Sequence, residues 1–459
     1  MDILLTHGYF LSEDPAEQRI MKPYVPLGIL SIAAYLDSRG FATRVFDSTF
    51  STFDAYEAEL TRLKPPVVGI YINMMTKFAA VRMMAAARRH GAMVIVGGPE
   101  PAFYAEEFLR SGADIVVVGE AEITLTELLP VLGRGHEALH RIGGLVFLDQ
   151  GGNVVRTPPR SLLPDINVLP PPDRNKVSLT PYLAAWRARH GFSSLSMITM
   201  RGCPYTCSWC SHGVYGESYR RRSPRLVADE LEWLSASYHP DAFWFADDVF
   251  TINHRWLFAL EDELRRRVLS ISYECITRAD RMNEDVVRSL AATGCRRLWI
   301  GSESGSQRIL DAMSRRVRVE QVQAMTHLAQ RHGIQVGMFI MLGYTGETHE
   351  DIEATVQHVR TARPDVVLTT VAYPIKGTRF YEENRDALVL PSLPFGEWND
   401  RMIEITGRYS RRFYWYANRR IVNEANLSRM THGTGRSWIA VAGAFLKARA
   451  AQVGMYLSK

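Results

Sequence analysis

Apolar residues in the first part of the chain form short runs that alternate with segments of helical periodicity. The helix-like segments include residues 26–40 and 76–91, where apolar positions recur every three or four residues. The strand-like runs cover residues 2–6, 42–48, 66–72, 92–98 and 113–120. Val- and Ile-rich runs that are apolar throughout are typical of parallel strands covered by helices on both faces of the sheet. The pattern predicts an α/β fold that begins with a doubly wound, Rossmann-like domain over residues 1–133.

The alternation stops after this domain and resumes further along the chain. Residues 134–192 are rich in Gly and Pro, contain a hairpin-like stretch, and are predicted to link two domains. The second set of strand-like runs covers residues 193–200, 241–247, 271–277, 296–302, 335–342 and 365–374. Six strand–helix units are too few for a complete eight-stranded barrel, so we predict a partial (βα)6 barrel over residues 193–380. Residues 381–459 lack the alternation and are predicted to form a mixed or helical segment that serves as a substrate lid.

The composition excludes several classes of protein. Hydrophobic residues make up 46% of the chain and charged residues 22%, as in an ordinary globular protein. The formal net charge of +5 is too small for a nucleic-acid-binding signature. No run approaches the roughly 18 apolar residues of a membrane span, and Met1–Thr6 lead into a strand-like run without a secretory signal. We therefore expect a cytoplasmic protein that binds no nucleic acid.

Three of the five cysteines lie within eight positions, in the sequence RGCPYTCSWCSH. Cys203, Cys207 and Cys210 have the spacing CxxxCxxC and directly follow a strand-like run. Three thiolates in one compact loop suit a 4Fe–4S cluster, because they leave one iron available to a substrate or cofactor. A zinc site with His212 as a fourth ligand is the alternative, since structural zinc sites require four ligands. The spacing favours metal or redox chemistry over a disulfide.

The cysteine loop resembles that of the radical S-adenosylmethionine (SAM) superfamily, and the resemblance extends over residues 193–380. In that family the loop follows the first barrel strand, and the open iron binds SAM. Cys203, Cys207 and Cys210 are then the catalytic cluster ligands. The resemblance also implies SAM contacts by Tyr205 or Trp209, Asp247 or Asp248, Glu303, Ser304 and Gly343. Each match is weak alone, because an Asp–Asp pair and the sequence TGET are also common at helix N-termini, but they occur in the family's order.

The N-terminal domain resembles the cobalamin-binding domain of cobalamin-dependent radical SAM enzymes. The similarity rests on PLGILSIAAYLDSRG, VGGPEP and VVGEAE, since glycines at strand ends let a backbone approach a bulky cofactor. It implies cobalamin contacts by Asn73, Met75, Thr76, Gly97, Gly98, Pro99, Gly119, Glu120 and Glu122. The Asp-x-His-x-x-Gly motif, with which some cobalamin domains supply a cobalt ligand, is absent. The alternatives are a vestigial domain without cofactor and a dinucleotide site, although no GxGxxG follows the first strand.

Together the two resemblances imply an enzyme with a 4Fe–4S cluster, SAM and cobalamin as cofactors. It would cleave SAM reductively to a 5′-deoxyadenosyl radical, and we expect a C-methyltransferase that acts on an unactivated carbon through methylcobalamin. A radical cyclase or oxidase, like the anaerobic magnesium-protoporphyrin IX monomethyl ester cyclase, is the near alternative. A non-catalytic iron–sulfur protein is the alternative from another class. The implied partners are a small-molecule, tetrapyrrole or lipid substrate and a flavodoxin, ferredoxin or reductase as electron donor.

Three other features bear on function. Arg220, Arg221 and Arg222 form a charge run, which is interpreted either as a solvated loop or as a contact for an anionic group. Cys275 lies in a strand-like run and is expected in the core, where lone cysteines are common. The C-terminal stretch SWIAVAGAFLKARAAQVGMYL is basic and amphipathic. It is predicted to close the barrel mouth as ordinary core, with weak membrane contact as the alternative.

Overall fold

The computed structural model describes residues 1–432 and 438–458. Its strands are β1 (Ile3–His7), β2 (Thr43–Phe46), β3 (Val67–Tyr71), β4 (Met93–Gly97), β5 (Ile115–Val117), β6 (Leu145–Leu148), β7 (Val154–Arg156), β8 (Ser194–Met197), β9 (Met200–Arg201), β10 (Arg220–Arg221), β11 (Ala242–Phe245), β12 (Tyr273–Thr277), β13 (Cys295–Glu303), β14 (Gln335–Leu342), β15 (Val366–Val371), β16 (Leu388–Val389) and β17 (Glu404–Ile405). Its α-helices are α1 (Pro15–Ile20), α2 (Leu27–Ser38), α3 (Phe53–Leu63), α4 (Lys77–Arg89), α5 (Pro99–Phe103), α6 (Ala105–Arg110), α7 (Ala121–Leu128), α8 (His136–Leu139), α9 (Thr180–His190), α10 (Pro224–Tyr238), α11 (His254–Arg266), α12 (Glu284–Ala292), α13 (Gln307–Ala312), α14 (Val319–Arg331), α15 (His349–Ala362), α16 (Arg379–Glu383), α17 (Arg411–His432) and α18 (Trp438–Tyr456).

The first sheet has seven strands in the order β2-β1-β3-β4-β5-β6-β7. Strands β1 to β5 are parallel, and β6 and β7 extend the sheet as an antiparallel hairpin. The parallel α/β fold predicted for the N-terminal part is confirmed. The hairpin comes from residues 134–192, so the segment expected to link the domains also contributes to this sheet.

Both faces of the first sheet are covered by apolar side chains, which explains its continuous Val/Ile runs. Leu4 and Val68 belong to one buried cluster together with residues of α4 and α6. Ile3 and Leu5 belong to a second cluster, together with residues of α2 and α7. Because successive side chains of a strand point to opposite faces, a strand with a core on each side is apolar at every position.

The second sheet has six strands in the order β15-β14-β13-β12-β11-β8. The pairs from β11 to β15 are parallel, in agreement with the parallel sheet predicted for this part of the chain. Ala242 of β11 donates its N–H to the Ser193 carbonyl next to β8, at 3.0 Å. The carboxyl ends of these parallel strands therefore lie at one edge, where ligand sites in such sheets form.

The sequence pattern of residues 306–333 predicts one long helical stretch, which the structure divides into α13 and α14. Between them, Ser314 and Arg316 adopt positive φ angles of 53° and 54°. A non-glycine residue in this left-handed conformation ends a regular α-helix. The break turns Arg315, which lies between the two residues, into the protein interior, where only 6% of it is exposed.

The C-terminal segment, predicted to be mixed or helical, is mixed: it contains the short strands β16 and β17 followed by two long helices. Helices α17 and α18 pack together and contribute Phe413, Ile421 and Met455 to a buried cluster with residues of β14 and α15. Within the described residues, no helix has both the length and the apolar character needed to cross a membrane.

By their contacts the residues divide into two compact units. The first unit comprises Met1–Pro204, Ser211–Ala242 and Pro391–Met402. The second unit comprises Tyr205–Cys210, Phe243–Leu390 and Ile403–Lys459. The chain therefore passes between the units several times, and each unit is built from segments that are distant in sequence.

Candidate functional site

In the second unit, charged residues and a glycine follow the carboxyl ends of three neighbouring strands. Arg278 follows β12, Glu303 is the last residue of β13, and Gly343 follows β14. These three strands are adjacent in the sheet. The sheet thus collects at one edge the residue types that bind polar cofactors.

The thiol of Cys207 lies between two buried arginines of this edge. Nη1 of Arg278 and Nη1 of Arg315 each donate to Cys207 Sγ at 3.7 Å. The two arginines are 2% and 6% exposed, and Cys207 is 9% exposed. Two cationic N–H donors on one sulfur suit an electron-rich sulfur such as a metal-bound thiolate. The donor set around Cys207 therefore fits a cluster ligand.

The three cysteines of the motif differ in exposure. Cys203 and Cys207 are buried, whereas Cys210 is exposed. Among residues 1–432 and 438–458, no three His, Cys, Asp or Glu side chains are grouped so that they could hold one metal ion. Such grouping is what a mononuclear zinc site needs, whereas the ligands of a 4Fe–4S cubane each bind a separate iron.

The two aromatic residues predicted to contact SAM have different surroundings. The ring of Tyr205 lies under the Arg278 guanidinium, 3.8 Å from the ring centroid, and its hydroxyl accepts a hydrogen bond from Arg281 Nε. Trp209 is half-buried and packs against an apolar cluster that contains Tyr344 and Phe380. Tyr205 thus contacts the arginines at the carboxyl ends of the strands, whereas Trp209 packs in the neighbouring apolar core.

The acidic residues predicted for SAM binding also divide by burial. Asp247 is 1% exposed, whereas Asp248 is exposed. Neither aspartate caps a helix, because the following helix α11 is capped by Asn253. Ser304 is buried, and its hydroxyl bonds to the Thr355 hydroxyl and to a neighbouring backbone N–H. The Ser304 hydroxyl therefore bonds both to its own loop and to helix α15.

Glu303 is a buried carboxylate in a strained backbone conformation. Its φ angle is 63°, and the β13–β14 register shifts at this residue. Arg315 Nε lies 3.8 Å from Glu303 Oε1. Burial raises the pKa of the Glu303 carboxyl, and the charges of Arg315 and Arg278 oppose that rise. A strained, buried acid at a strand end is typical of a functional position.

Gly343 is held by the glutamate that follows it. Its φ is 71°, and its N–H donates to Glu347 Oε2 at 2.5 Å. A Cβ at Gly343 would lie 3.0 Å from the Tyr414 ring, so glycine also lets that ring approach. Glu347 Oε1 and two nitrogens of Arg408 are buried without a hydrogen-bond partner among the described residues.

In the first unit, the predicted cobalamin turns are shaped partly by internal packing. Gly98 has a φ of 111°, and a Cβ there would lie 2.5 Å from the Ile72 carbonyl oxygen. Gly98 is thus required by its own turn, and its contact with cobalamin stays a prediction. A Cβ at Gly97 would make only ordinary van der Waals contacts, the nearest at 3.5 Å from the Val117 carbonyl oxygen. At Gly119, with a φ of 88°, a Cβ would meet nothing closer than 3.8 Å, so this strand end leaves the room that a bulky cofactor needs.

The loop after β3 is an Asx-type turn that begins α4. Asn73 Oδ1 accepts the N–H groups of Met75 and Thr76, at 2.9 and 3.1 Å. The Thr76 hydroxyl accepts the N–H of Asn73 in return. The polar atoms of these predicted contacts therefore fix the loop, and Met75 is half-buried.

The acidic residues after β5 bind arginines. Glu120 accepts hydrogen bonds from Arg201 and Arg220, and Glu122 accepts one from Arg201. The arginine charge run is therefore neither a simple solvated loop nor an open anion site, because Arg220 pairs with Glu120 and Arg222 pairs with Glu230. Pro99 lies at the start of α5, next to Gly98.

A groove of the first unit lies beside these arginines. It is shallow and partly open to solvent, and its walls include Leu27, Ile166, Met200, Tyr215 and Arg201. A mostly apolar groove with a few polar groups is the usual form of a small-molecule site.

Several residues of the candidate site were not predicted from the sequence. Arg278 directly follows a strand-like run, and the strand-end rule applied to Glu303 would have identified it. Arg315 and Arg408 lie at positions that no local pattern marks, because the fold brings them to the strand ends from elsewhere. Cys275 and Cys295 are buried, as expected for core cysteines.

Two family models match the chain. The B12 binding domain matches residues 20–129, and the Radical SAM superfamily matches residues 197–359. The order of the two domains agrees with the order of the two sheets.

Relatives and solved structures share this architecture. An uncharacterised methyltransferase of Pyrococcus horikoshii is 29% identical over 78% of this chain and 78% of its own. The anaerobic magnesium-protoporphyrin IX monomethyl ester cyclase of Rubrivivax gelatinosus is 25% identical over 79% of this chain and 66% of its own. The radical SAM methyltransferase TsrM of Kitasatospora setae, solved with cobalamin and a [4Fe–4S] cluster bound, shares the fold with a TM-score of 0.73 at 18% identity, over 99% of each chain. The chain is therefore a radical SAM enzyme with an N-terminal B12-binding domain.

Proposed function

We propose that this enzyme is a cobalamin-dependent C-methyltransferase that uses a 4Fe–4S cluster and SAM. The observation that carries the proposal is the presence of a B12-binding domain and a radical SAM domain in one chain. A cobalamin domain gives a radical enzyme a carrier for a methyl group, which an iron–sulfur scaffold does not require. Methyl transfer is favoured over cyclisation because the Pyrococcus horikoshii methyltransferase is more similar to this chain, at 29% identity, than the cyclase, at 25%.

The proposed ligands of each group follow from the residues described above. Cys203, Cys207 and Cys210 would hold the cluster, and the strand-end turn at Gly119 would approach cobalamin. SAM would lie at the charged edge formed around Glu303. When bound, the cluster and SAM supply a 5′-deoxyadenosyl radical, and cobalamin supplies a methyl group.

The protein's contribution is to position these groups and to tune their surroundings. Arg278 and Arg315 fix the Cys207 sulfur through two N–H donors. Arg278 is itself held by Asp280, at 2.8 Å, so its guanidinium is oriented before a ligand arrives. Glu303 is buried between these arginines and is suited to accept hydrogen bonds from hydroxyl groups of a ligand.

The substrate is proposed to be a small molecule with a mainly apolar body. The groove lined by Leu27, Ile166 and Met200 supports this class, and Tyr215 and Arg201 at its wall supply polar contacts. Tetrapyrroles and lipids are larger members of the same class. A flavodoxin, ferredoxin or reductase is proposed as the electron donor, and the cytoplasm as the location, because the cluster must be kept reduced.

The test is anaerobic reconstitution followed by chemical analysis. The wild-type protein should hold about four iron and four sulfide per chain, retain hydroxocobalamin in equilibrium dialysis, and convert SAM to 5′-deoxyadenosine after reduction. A variant with Cys203, Cys207 and Cys210 all changed to Ala should lose the cluster and SAM cleavage. Cys275→Ala and Cys295→Ala are the matched controls and should retain both.

Three results would contradict parts of the proposal. A triple variant with a full cluster would exclude the assigned ligands. A protein that cleaves SAM but retains no cobalamin would belong with cobalamin-free radical enzymes. A protein with a cluster but no SAM cleavage would be a non-catalytic iron–sulfur protein.

A further inference from the structure

The cysteine loop is closed at its base by two short strands of the first unit. Strand β9 ends at Arg201 and strand β10 begins at Arg220, and these two residues are paired in antiparallel register. Residues 202–219 between them contain the whole cysteine motif. We call β9 and β10 the loop stem.

The two ends of the cysteine loop come close together just beyond the stem, next to the first cysteine. Gly202 has a φ of 81°, and a Cβ there would lie 2.3 Å from Ser218 Oγ and 2.5 Å from the Ser218 carbonyl oxygen. Only glycine fits at such a position. The residue before Cys203 is therefore fixed by the geometry of the stem.

A single carboxylate from the B12-binding domain connects both strands of the stem. Glu120 Oε1 accepts from Arg201 Nη1 at 2.7 Å, and Glu120 Oε2 accepts from Arg220 Nη1 at 2.7 Å. Oε2 also accepts the backbone N–H of Leu163 at 2.8 Å. The side chains of these three charged residues are at most 10% exposed. The interaction is thus shielded from water and from salt.

Glu120, Arg201 and Arg220 form a network of charges that Glu122 completes and balances. Glu122 accepts a hydrogen bond from the second terminal nitrogen of Arg201, so two carboxylates meet two guanidinium groups. Buried ion pairs of this kind are seldom the most stable choice, because apolar residues of similar volume would avoid the desolvation cost. Their advantage is a single, specific geometry.

The returning part of the loop also packs on the turn at the end of β4. A Cβ at Gly213 would lie 3.1 Å from the Pro99 carbonyl oxygen and 2.9 Å from the Phe103 ring. Gly119, which precedes Glu120, has the Val214 carbonyl as its nearest neighbour in that direction. The turns after β4 and β5 therefore contact residues 213–214 directly.

We propose that Glu120 is a positioning residue that couples the Gly119–Glu120 turn, which would approach cobalamin, to the cysteine loop. A ligand that fixes the Gly119–Glu120 turn would fix the loop stem, and a cluster that orders the loop would in turn fix this turn. The inference rests on the proposed function, because it needs both cofactors. Linkage requires the effect to be reciprocal: each cofactor should bind more tightly when the other is present.

The test measures the cobalamin dissociation constant of the full-length protein before and after cluster reconstitution. For the wild type, the cluster should tighten hydroxocobalamin binding at least about 5-fold, the lower end of ordinary coupling between sites. In Glu120→Gln this ratio should fall to about 1, because a neutral amide cannot hold both arginines. If Glu120 had a purely structural role, its substitution would raise the cobalamin dissociation constant equally with and without the cluster, and the ratio of the two would not change.

A second variant and a control complete the experiment. Arg220→Lys retains the charge but loses the geometry of the guanidinium, so it should also lower the ratio even if Glu120→Gln folds poorly. Glu127→Gln removes a carboxylate of the same helix α7 that pairs with Arg160 outside the network, and it should keep the wild-type ratio. A wild-type ratio of 1 with both cofactors bound, or an unchanged ratio in both variants, would overturn the inference and leave the proposed function intact. Absence of cobalamin binding by the wild type would instead contradict the proposed function.

Discussion

Glu347 combines burial with incomplete hydrogen bonding. Its Oε2 accepts the Gly343 N–H, whereas Oε1 has no hydrogen-bond partner among the described residues. Loss of hydration raises the pKa of this carboxyl to about 7, and the neighbouring charge of Arg408 opposes the rise. The residue therefore titrates near neutral pH in the folded protein.

This titration makes stability depend on pH in a defined direction. Between about pH 4.5 and 7, the folded state holds a proton on Glu347 that the unfolded state has lost, so the free energy of unfolding falls as pH rises. Relative to that of Glu347→Gln, the free energy of unfolding of the wild type should fall by about 3 kcal/mol across this pH window. Urea denaturation of both proteins from pH 5 to pH 8 measures the difference. If the free energies of unfolding of the two proteins change in parallel with pH, Glu347 has an ordinary pKa.

The sequence predicts part of this region and misses the rest for a physical reason. The TGET motif does precede a helix, and α15 begins with a capping box between Thr348 and Asp351. Local patterning thus predicts the glycine turn and the helix start. The burial of Glu347 depends on Arg408 and Tyr414, which follow it by tens of residues, and no local pattern carries that information.

At the level of elements, α18 presents apolar residues on more than one side. One side packs on α17, where a Cβ at Gly454 would lie 2.4 Å from the Tyr416 ring. The other side is exposed and includes Leu446, at 66% exposure, and Tyr456, at 70%. The helical periodicity of the stretch SWIAVAGAFLKARAAQVGMYL predicts that Trp438, Ile439, Ala442, Phe445 and Leu446 share one side. Of these, Ala442 and Phe445 are exposed like Leu446, while the side chains of Trp438 and Ile439 lie outside the described part of the structure. The helix is therefore only partly the ordinary core that was predicted.

The exposed side of α18 carries cations and no acidic residue. Lys447 and Arg449 lie on it, and the helix contains no Asp or Glu. We expect weak binding to vesicles that contain anionic lipid, since each cation contributes only about 1 kcal/mol near such a surface. The double variant Phe445→Ser, Leu446→Ser should not float with these vesicles, whereas Val268→Ser, at a residue 90% exposed in the turn after α11, should float like the wild type. If the wild type stays with the unbound fraction, the surface does not bind lipid.

The strands were predicted more accurately than the helices that follow them. The strand runs from β11 to β15 are recognisable because each is rich in β-branched or aromatic residues, and β11 to β14 are also largely buried. The helical stretch over 306–333 was predicted without its interruption, because the left-handed residues Ser314 and Arg316 are not glycines. Such a conformation is stabilised by the surrounding fold and leaves no mark in the sequence.

At the scale of the molecule, the first unit depends on a short segment from late in the chain. This segment is Pro391–Met402. The ring centroids of its Phe395 and Trp398 lie 3.8 and 4.3 Å from the Nζ atom of the buried Lys77. Glu100 Oε1 lies 3.6 Å from the same nitrogen. Burial lowers the pKa of Lys77, and the aromatic rings and Glu100 favour its charged form. This cation therefore attaches the segment to α4.

Trp398→Ala should loosen the first unit although the residue is more than 300 positions from α4 in sequence. We expect a loss of roughly 1–3 kcal/mol, since the side chain is only partly buried. Hydrogen exchange should accelerate in residues 77–89 and remain unchanged in β14. Trp415→Ala, at an exposed position of α17, is the control and should change neither region. Equal protection of α4 in the two variants would show that the segment does not stabilise it.

The passage of the chain between the two units has a consequence during synthesis on the ribosome. When Pro204 has emerged, the first unit still lacks Ser211–Ala242 and Pro391–Met402. At translation rates of about 5–20 residues per second, the last of these segments follows roughly 10–40 seconds later. During that interval Lys77 has no aromatic cover from Phe395 or Trp398, and the nascent protein is exposed to proteases and chaperones. Expression at a rate that outpaces chaperone supply should therefore yield aggregates of the N-terminal part first.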